Sequence, residues 1–169
     1  MHALGVIEAQ QGNDAAARTF FEQALAMQKE LGDKQGTAVT LQALGFIESQ
    51  QGNYAAARTY YEQALALAKE LGNKQGTAAT LQTLGMLELN GGNIDQAERN
   101  FREGLAIAQQ IGAKYLTAGH QYSLARVEAR KGNRAAAAEL ARAALALWEE
   151  LHAPEAEWAR KLLAELGEE

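Results

Sequence analysis

Apolar residues recur along this chain at spacings of three and four, the period that returns side chains to one face of an α-helix. Phe21, Leu25 and Gln28 are echoed by Tyr61, Leu65 and Ala68, with Ala17 and Ala24 as small positions beside them. No stretch shows the alternation of a strand. Glycines at 12, 52, 92 and 132 interrupt the pattern, each followed by asparagine (Asn13, Asn53, Asn93, Asn133). A second set stands at Gly32, Gly72 and Gly112, the first two followed by Asp33 and Asn73. Glycine takes the left-handed backbone that ends a helix, and a short polar side chain caps the next one. The punctuation predicts helices over 2–11, 14–31, 34–51, 54–71, 74–91, 94–111, 114–131, 134–151 and 155–167.

The pattern is also a repeat. Residues 4–43 and 44–83 are identical at about three quarters of their positions, and 84–123 and 124–163 keep the frame. The expected organisation is one all-α domain over 1–169, with units of about 1–33, 34–73, 74–113 and 114–153. A capping helix over 154–169 follows, and Pro154 suits the first turn of a helix. By analogy with 34–51, the first helix is expected to begin several residues before Met1, so that the chain would be a fragment of a longer array. The C-terminal end reads as finished. Trp148 and Trp158 fall level with each other across the turn at His152–Ala153, as a plug closing the last repeat; the other reading is an exposed tryptophan serving as a binding anchor.

The phrase Leu44, Gly45, Gly52, Ala57, Tyr61, Ala64, Leu65 returns as Leu84, Gly85, Gly92, Ala97, Phe101, Gly104, Leu105. This signature resembles the tetratricopeptide repeat over essentially the whole chain. The resemblance implies a right-handed superhelical solenoid of antiparallel helix pairs, about nine helices in all. It also implies a non-catalytic protein–protein interaction scaffold whose concave groove is lined by the first helix of each pair. Two departures stand out. The proline after the second helix is missing, and the unit exceeds the common length of about 34 residues, as in the long-repeat subclass of Pins-type scaffolds and bacterial signalling ATPases and regulators. In the fourth repeat Ala125 replaces the glycine and Ala141 the aromatic.

Composition narrows the function. A net charge of −5 and a pI near 5.3 argue against nucleic acid or an anionic membrane as partner. Zero cysteines suit a reducing cytoplasm, and no run approaches membrane-spanning length. His2, His120 and His152 lie in different repeats without metal-ligand spacing, and Ser49 and Ser123 sit in no nucleophile elbow. "GNKQGT" lacks the spacing of a phosphate loop. The expectation is therefore no enzyme, no metal and no cofactor.

Surface residues carry what remains. On a wheel for 34–51, Leu41, Leu44 and Ile47 face one way and Gln42, Phe46, Ser49 and Gln50 the other. In register stand Val6 (with His2, Ala9 and Gln10), then Gln82, Met86, Leu89 and Asn90, then Tyr122, Arg126, Ala129 and Arg130. Under the resemblance these line the groove. Val6, Phe46 and Met86, flanked by amides, suit an extended or helical peptide. Tyr122, Arg126 and Arg130, with Lys131 and Arg134 nearby, suit an acidic part of that partner. The asparagine that chaperone-tail clamps place after the "LG" pair is replaced by Val6, Phe46, Met86 and Arg126. Two other readings are a spacer that self-associates through its N-terminal end, and the partner-recruiting arm of a larger signalling protein or enzyme. The recurring Glu8, Glu48, Glu88 and Glu128 read as a polar brace at the helix junction, reaching first-turn N–H groups or Arg18 and Arg58.

Overall fold

A computed structural model describes residues 1–168, and among them the secondary structure is nine helices and no strand. In order they are α1 (His2–Gln10), α2 (Asp14–Glu30), α3 (Lys34–Gln50), α4 (Tyr54–Glu70) and α5 (Lys74–Asn90). Then come α6 (Ile94–Gln110), α7 (Lys114–Lys131), α8 (Arg134–Glu150) and α9 (Ala156–Glu165). The odd-numbered helices are the first (A) helices of each pair and the even-numbered ones the second (B). Most bounds fall within a residue of those expected. The exception is the last: Pro154 stands ahead of α9 rather than in its first turn.

The glycines end the helices as their conformational freedom allows. Gly12, Gly32, Gly52, Gly72, Gly92, Gly112 and Gly132 have φ between +64° and +83°. Each turn closes on the helix before it; Asn53 N–H, for example, bonds the carbonyl of Glu48 at 2.8 Å. This is the six-to-one bond of a Schellman turn. Asp33 and Asn73 cap as expected, accepting from the N–H groups of Gly36 and Gly76 at 2.8 Å. The other asparagines do not. Asn13, Asn53, Asn93 and Asn133 make no side-chain bond to the helix they precede. Their amides turn back to the glutamates instead.

The chain divides into two compact units, Met1–Gly76 and Thr77–Glu169. In the first, Ala17, Phe21, Leu44 and Ile47 form a core. Gly45 lets Tyr61 lie against its backbone, since a Cβ there would stand 3.0 Å from the ring. In the second unit Phe101 packs on Gly85 in the same way, with an added Cβ only 2.4 Å from the ring. The fourth repeat solves the same packing differently. Ala125 and Ala141 are fully buried, and Leu162 and Leu163 of α9 fill the space an aromatic ring would take. A methyl on one helix is accommodated because the ring opposite is gone.

The final helix is out of frame. Positions equivalent to buried Ala38, Leu41 and Leu44 are Trp158, Lys161 and Ala164, and all three are exposed. Buried instead are Ala156, Ala159 and Leu162, each two residues earlier. Two residues are about 200° of helix, so α9 presents nearly the opposite face to α8.

Candidate functional site

Two recesses lie on the faces that the A helices present, one in each unit. In the first unit a cavity of about 440 Å³ is lined by Val6 from α1 and by Val39, Gln42 and Phe46 from α3, with Phe21 behind. Phe46 is 57% exposed although its helix neighbours Gly45 and Ile47 are buried. His2 stands at the edge, its Nδ1 2.9 Å from the Thr40 hydroxyl. The lining carries no carboxylate, ammonium or guanidinium group, so its chemistry is apolar contact beside an amide. Ser49 and Gln50 lie farther along α3 and do not line it.

In the second unit a cavity of about 640 Å³ collects Gln82 and Met86 from α5 and Tyr122 and Arg126 from α7. Gln82 is held in place: its amide nitrogen donates to Ser123 Oγ at 2.7 Å and to the Gly119 carbonyl at 3.2 Å. Arg126 is half-buried, and its Nη1 points at the Met86 sulfur, 3.3 Å away. Burial raises the Tyr122 hydroxyl above the usual tyrosine range, and Arg126 and Glu165 act on it in opposite senses. Asn90 is exposed but outside the cavity.

Leu89 is a correction. It is fully buried, packed with Ala97, Phe101, Leu124 and Val127, and offers nothing to a partner. Position 49 in the second repeat is a half-exposed serine at the edge of the stripe; a leucine at that edge turns into the core.

The expected basic cluster also divides. Arg130 donates to the Leu89 carbonyl, Arg134 to the Leu166 carbonyl at 2.9 Å, and Lys131 pairs with Glu98. Arg126 alone of the four lines the cavity. Sequence reasoning missed Lys161 and Glu165 of α9, which with Trp158 form the other wall. Trp158 is 56% exposed and stands edge-on to buried Trp148, ring centres 6.1 Å apart. The two are level as expected, but only Trp148 is a plug. The signal was the turn before α9, where His152 replaces the repeat's glycine and Pro154 follows.

The glutamates belong to the scaffold. Each accepts from the amide of the asparagine five residues on: Glu8–Asn13 and Glu48–Asn53 at 2.8 Å, Glu88–Asn93 and Glu128–Asn133 at 2.7 Å. The brace is real, but its partner is the turn asparagine rather than a helix N–H. Arg18 bonds Glu48 at 2.6 Å and Gln51 at 2.7 Å, reaching forward to the following repeat instead of back to Glu8. His120 is likewise structural. It is fully buried, its Nε2 lies 3.1 Å from the Ala78 carbonyl, and burial pushes its pKa down to about 4. Among the described residues no group of three or more His, Cys, Asp or Glu is placed to hold a metal ion, and no helix is long and apolar enough to cross a membrane.

Models of the tetratricopeptide repeat match residues 1–70, 37–110 and 117–155. No curated protein sequence matches the chain. Among solved structures it is similar to BtubC from P. vanneervenii, at 20% identity and TM-score 0.86, over 96% of this chain and 68% of that one. The apo form of RapI superposes with TM-score 0.91 at 14% identity, over 98% of this chain and 61% of RapI. A putative kinesin light chain from Podosopora anserina with TPR-like repeats is 20% identical, with TM-score 0.78, over 98% and 82%. At such identities the likeness shows the fold, an all-α TPR-like solenoid.

Proposed function

The chain belongs to the tetratricopeptide-repeat family, and from that premise we propose that it is a non-catalytic scaffold holding a peptide or partner segment against the A-helix faces of its two units. The observation that carries this reading is Phe46, a large aromatic 57% exposed on the rim of an apolar recess beside Val6 and Gln42. Exposed apolar groups gathered on a concave surface beside a few fixed amides are what peptide grooves are made of. Met86, Gln82 and Tyr122 supply the same combination in the second unit, where Arg126 adds a cation for an acidic part of the partner. A Rap protein whose structure was solved in complex with competence and sporulation factor has the same fold, with TM-score 0.77 at 18% identity, and this chain spans 44% of it. A cytoplasmic location fits the absence of cysteine.

The test is peptide display panned on the wild-type chain and counter-screened on the Phe46→Ala/Met86→Ala variant. The selected peptides should bind the variant at least tenfold more weakly while its helical circular dichroism is unchanged. Equal binding to both proteins would remove the recesses from consideration.

One observation favours a second reading, self-association through the N-terminal end. Leu4 and Ile7 are 45% and 47% exposed, whereas their equivalents Leu44 and Ile47 are 2% and 3% exposed. Light scattering over a concentration series decides it, because a strict monomer at every concentration excludes this reading. A partner-recruiting arm of a larger protein would use the same recesses.

A further inference from the structure

The recess of the second unit has a chemistry more specific than a generic groove. Its two walls are built alike. On α7, Tyr122 and Arg126 are one turn apart; on α9, Trp158 and Lys161 are three residues apart and share a face. The rings of Tyr122 and Trp158 stand 6.3 Å from each other. One row of the recess is therefore aromatic and the next cationic.

The cations are not ion-paired. Among the described residues neither Arg126 nor Lys161 makes an ion pair, although Arg142 and Arg160 on the neighbouring surface both do. A thioether is a weak acceptor for a guanidinium, and the Met86 sulfur is what the half-buried Arg126 reaches within the protein. With Glu165 as the one carboxylate in the lining, the recess carries a net charge of about +1 in a chain whose net charge is −5. Its aromatic row is also open. Trp158 exposes 56% of its surface because α9 is rolled out of the repeat frame, which turns toward the recess a side chain that the frame would bury.

Resting on the scaffold reading, we infer that this recess selects a peptide segment with an acidic side chain two residues from a large apolar one. The carboxylate sits between Arg126 and Lys161, and the apolar side chain lies on Trp158 and Tyr122. Adjacent residues of an extended chain point to opposite sides, whereas residues i and i+2 point the same way about 7 Å apart. The aromatic and cationic rows are separated by about one helical turn, about 5 Å, which side-chain reach spans. A C-terminal residue would have to place its carboxylate and its own side chain in both rows from a single Cα. In this account α9 is a wall of the site as well as a cap, and Trp158 is its anchor.

The tryptophans make the test direct, since the chain has two and both line this recess. The full chain is titrated, with intrinsic fluorescence as readout, against tryptophan-free pools of acetylated and amidated pentapeptides. The pools have glutamate at position two, a Leu/Phe/Met mixture at position four and random residues elsewhere. Glutamate pools should bind at least fivefold tighter than glutamine pools, and Arg126→Gln should erase that difference. Trp158→Ala should weaken binding at least tenfold with unchanged helicity, Trp148 remaining as reporter. Equal binding of the two pools, or wild-type affinity in Trp158→Ala, overturns the inference. A glutamine pool with a free C-terminal carboxylate that matches the glutamate pool assigns the anion to a chain terminus and overturns it too. Peptides that depend on Phe46 and Met86 but ignore Trp158 would sink this inference and leave the scaffold reading standing.

Discussion

The first two repeats and the last two make the same fold with different partners at equivalent places. Where α2 has Ala24 and α3 has Thr40, α6 has Gly104 and α7 has His120; a Cβ on Gly104 would fall 2.1 Å from the imidazole. Where Arg18 reaches Glu48 and Gln51, the equivalent Glu98 pairs with Lys131, which also lies 3.8 Å from Glu128. Lys131, and then Arg102, hold the Glu98 carboxyl below its usual range. The sign of the tie is reversed while the tie persists. A repeat thus preserves summed volume at the buried pair and an ion-pair tie at the junction, and residue identity matters less.

The sharpest test of this difference is pH. His120 stays neutral in the folded chain down to about pH 4, whereas an unfolded histidine takes up its proton near pH 6.5. Below 6.5 the unfolded state therefore binds more protons, so stability is lost as pH falls and the loss is complete near pH 4. Over that window the cost should approach about 3 kcal/mol. The first unit has threonine at this position. Urea melts from pH 7 to 4 should show the loss in the wild type and not in Gly104→Ala/His120→Thr, which copies the Ala24–Thr40 pair; identical pH profiles would mean that His120 is not the cause.

The same pair predicts a packing effect. Gly104→Ala alone drives a methyl into a ring pinned between Phe101 and the Ala78 carbonyl. It should cost about 2 kcal/mol despite the better helix propensity of alanine. Adding His120→Thr should recover most of that cost. A neutral single variant would show that the junction tolerates either volume and that the comparison is empty.

Next in size is the reversed ion pair. Arg18→Glu places a second carboxylate beside Glu48, which is 5% exposed, and should destabilise by about 1–2 kcal/mol. Gln51→Lys in that background recreates the Glu98–Lys131 arrangement and should restore about half of it or more. A double-mutant cycle in chemical denaturation measures the coupling. No rescue would mean that the two junctions are not interchangeable.

How much of this was legible depends on where the signal resides. Helix ends were legible because Gly12, Gly32 and their equivalents impose a backbone that few other residues take. Phe46, Met86 and Tyr122 were legible as a stripe because one wheel serves every repeat in frame. Leu89 was not, since the wheel gives a direction but not whether the next A helix covers it. The Glu–Asn brace could be seen as a recurring pair five residues apart, yet its geometry depends on a Schellman turn that swings the asparagine back over the helix end. The roll of α9 had only the turn as its signature, His152 in place of glycine with Pro154 after it, so Trp158 was read in a frame it does not obey.

That missing glycine gives the smallest predicted effect. Gly32, Gly72 and Gly112 close their turns at φ between +64° and +68°; at the equivalent place His152 holds φ 52°. The bonds are the same in kind: His152 N–H donates to Glu149 at 3.0 Å and Ala153 N–H to Trp148 at 2.8 Å, as Gly32 and Asp33 donate to Lys29 and Gln28. A Cβ in this region is strained by about 1 kcal/mol or more, part of which glycine would return as extra freedom in the unfolded chain. His152→Gly should therefore stabilise by about 0.5 kcal/mol, a rise of roughly 1–2 °C in Tm for a chain of this size. Gly112→His should cost more than that gain, because Ala113 and the start of α7 are held in the repeat frame, whereas α9 already packs out of it. If the two substitutions prove equal and opposite, the histidine turn is not what releases the last helix, and the cause lies in the Trp148–Leu162 packing instead.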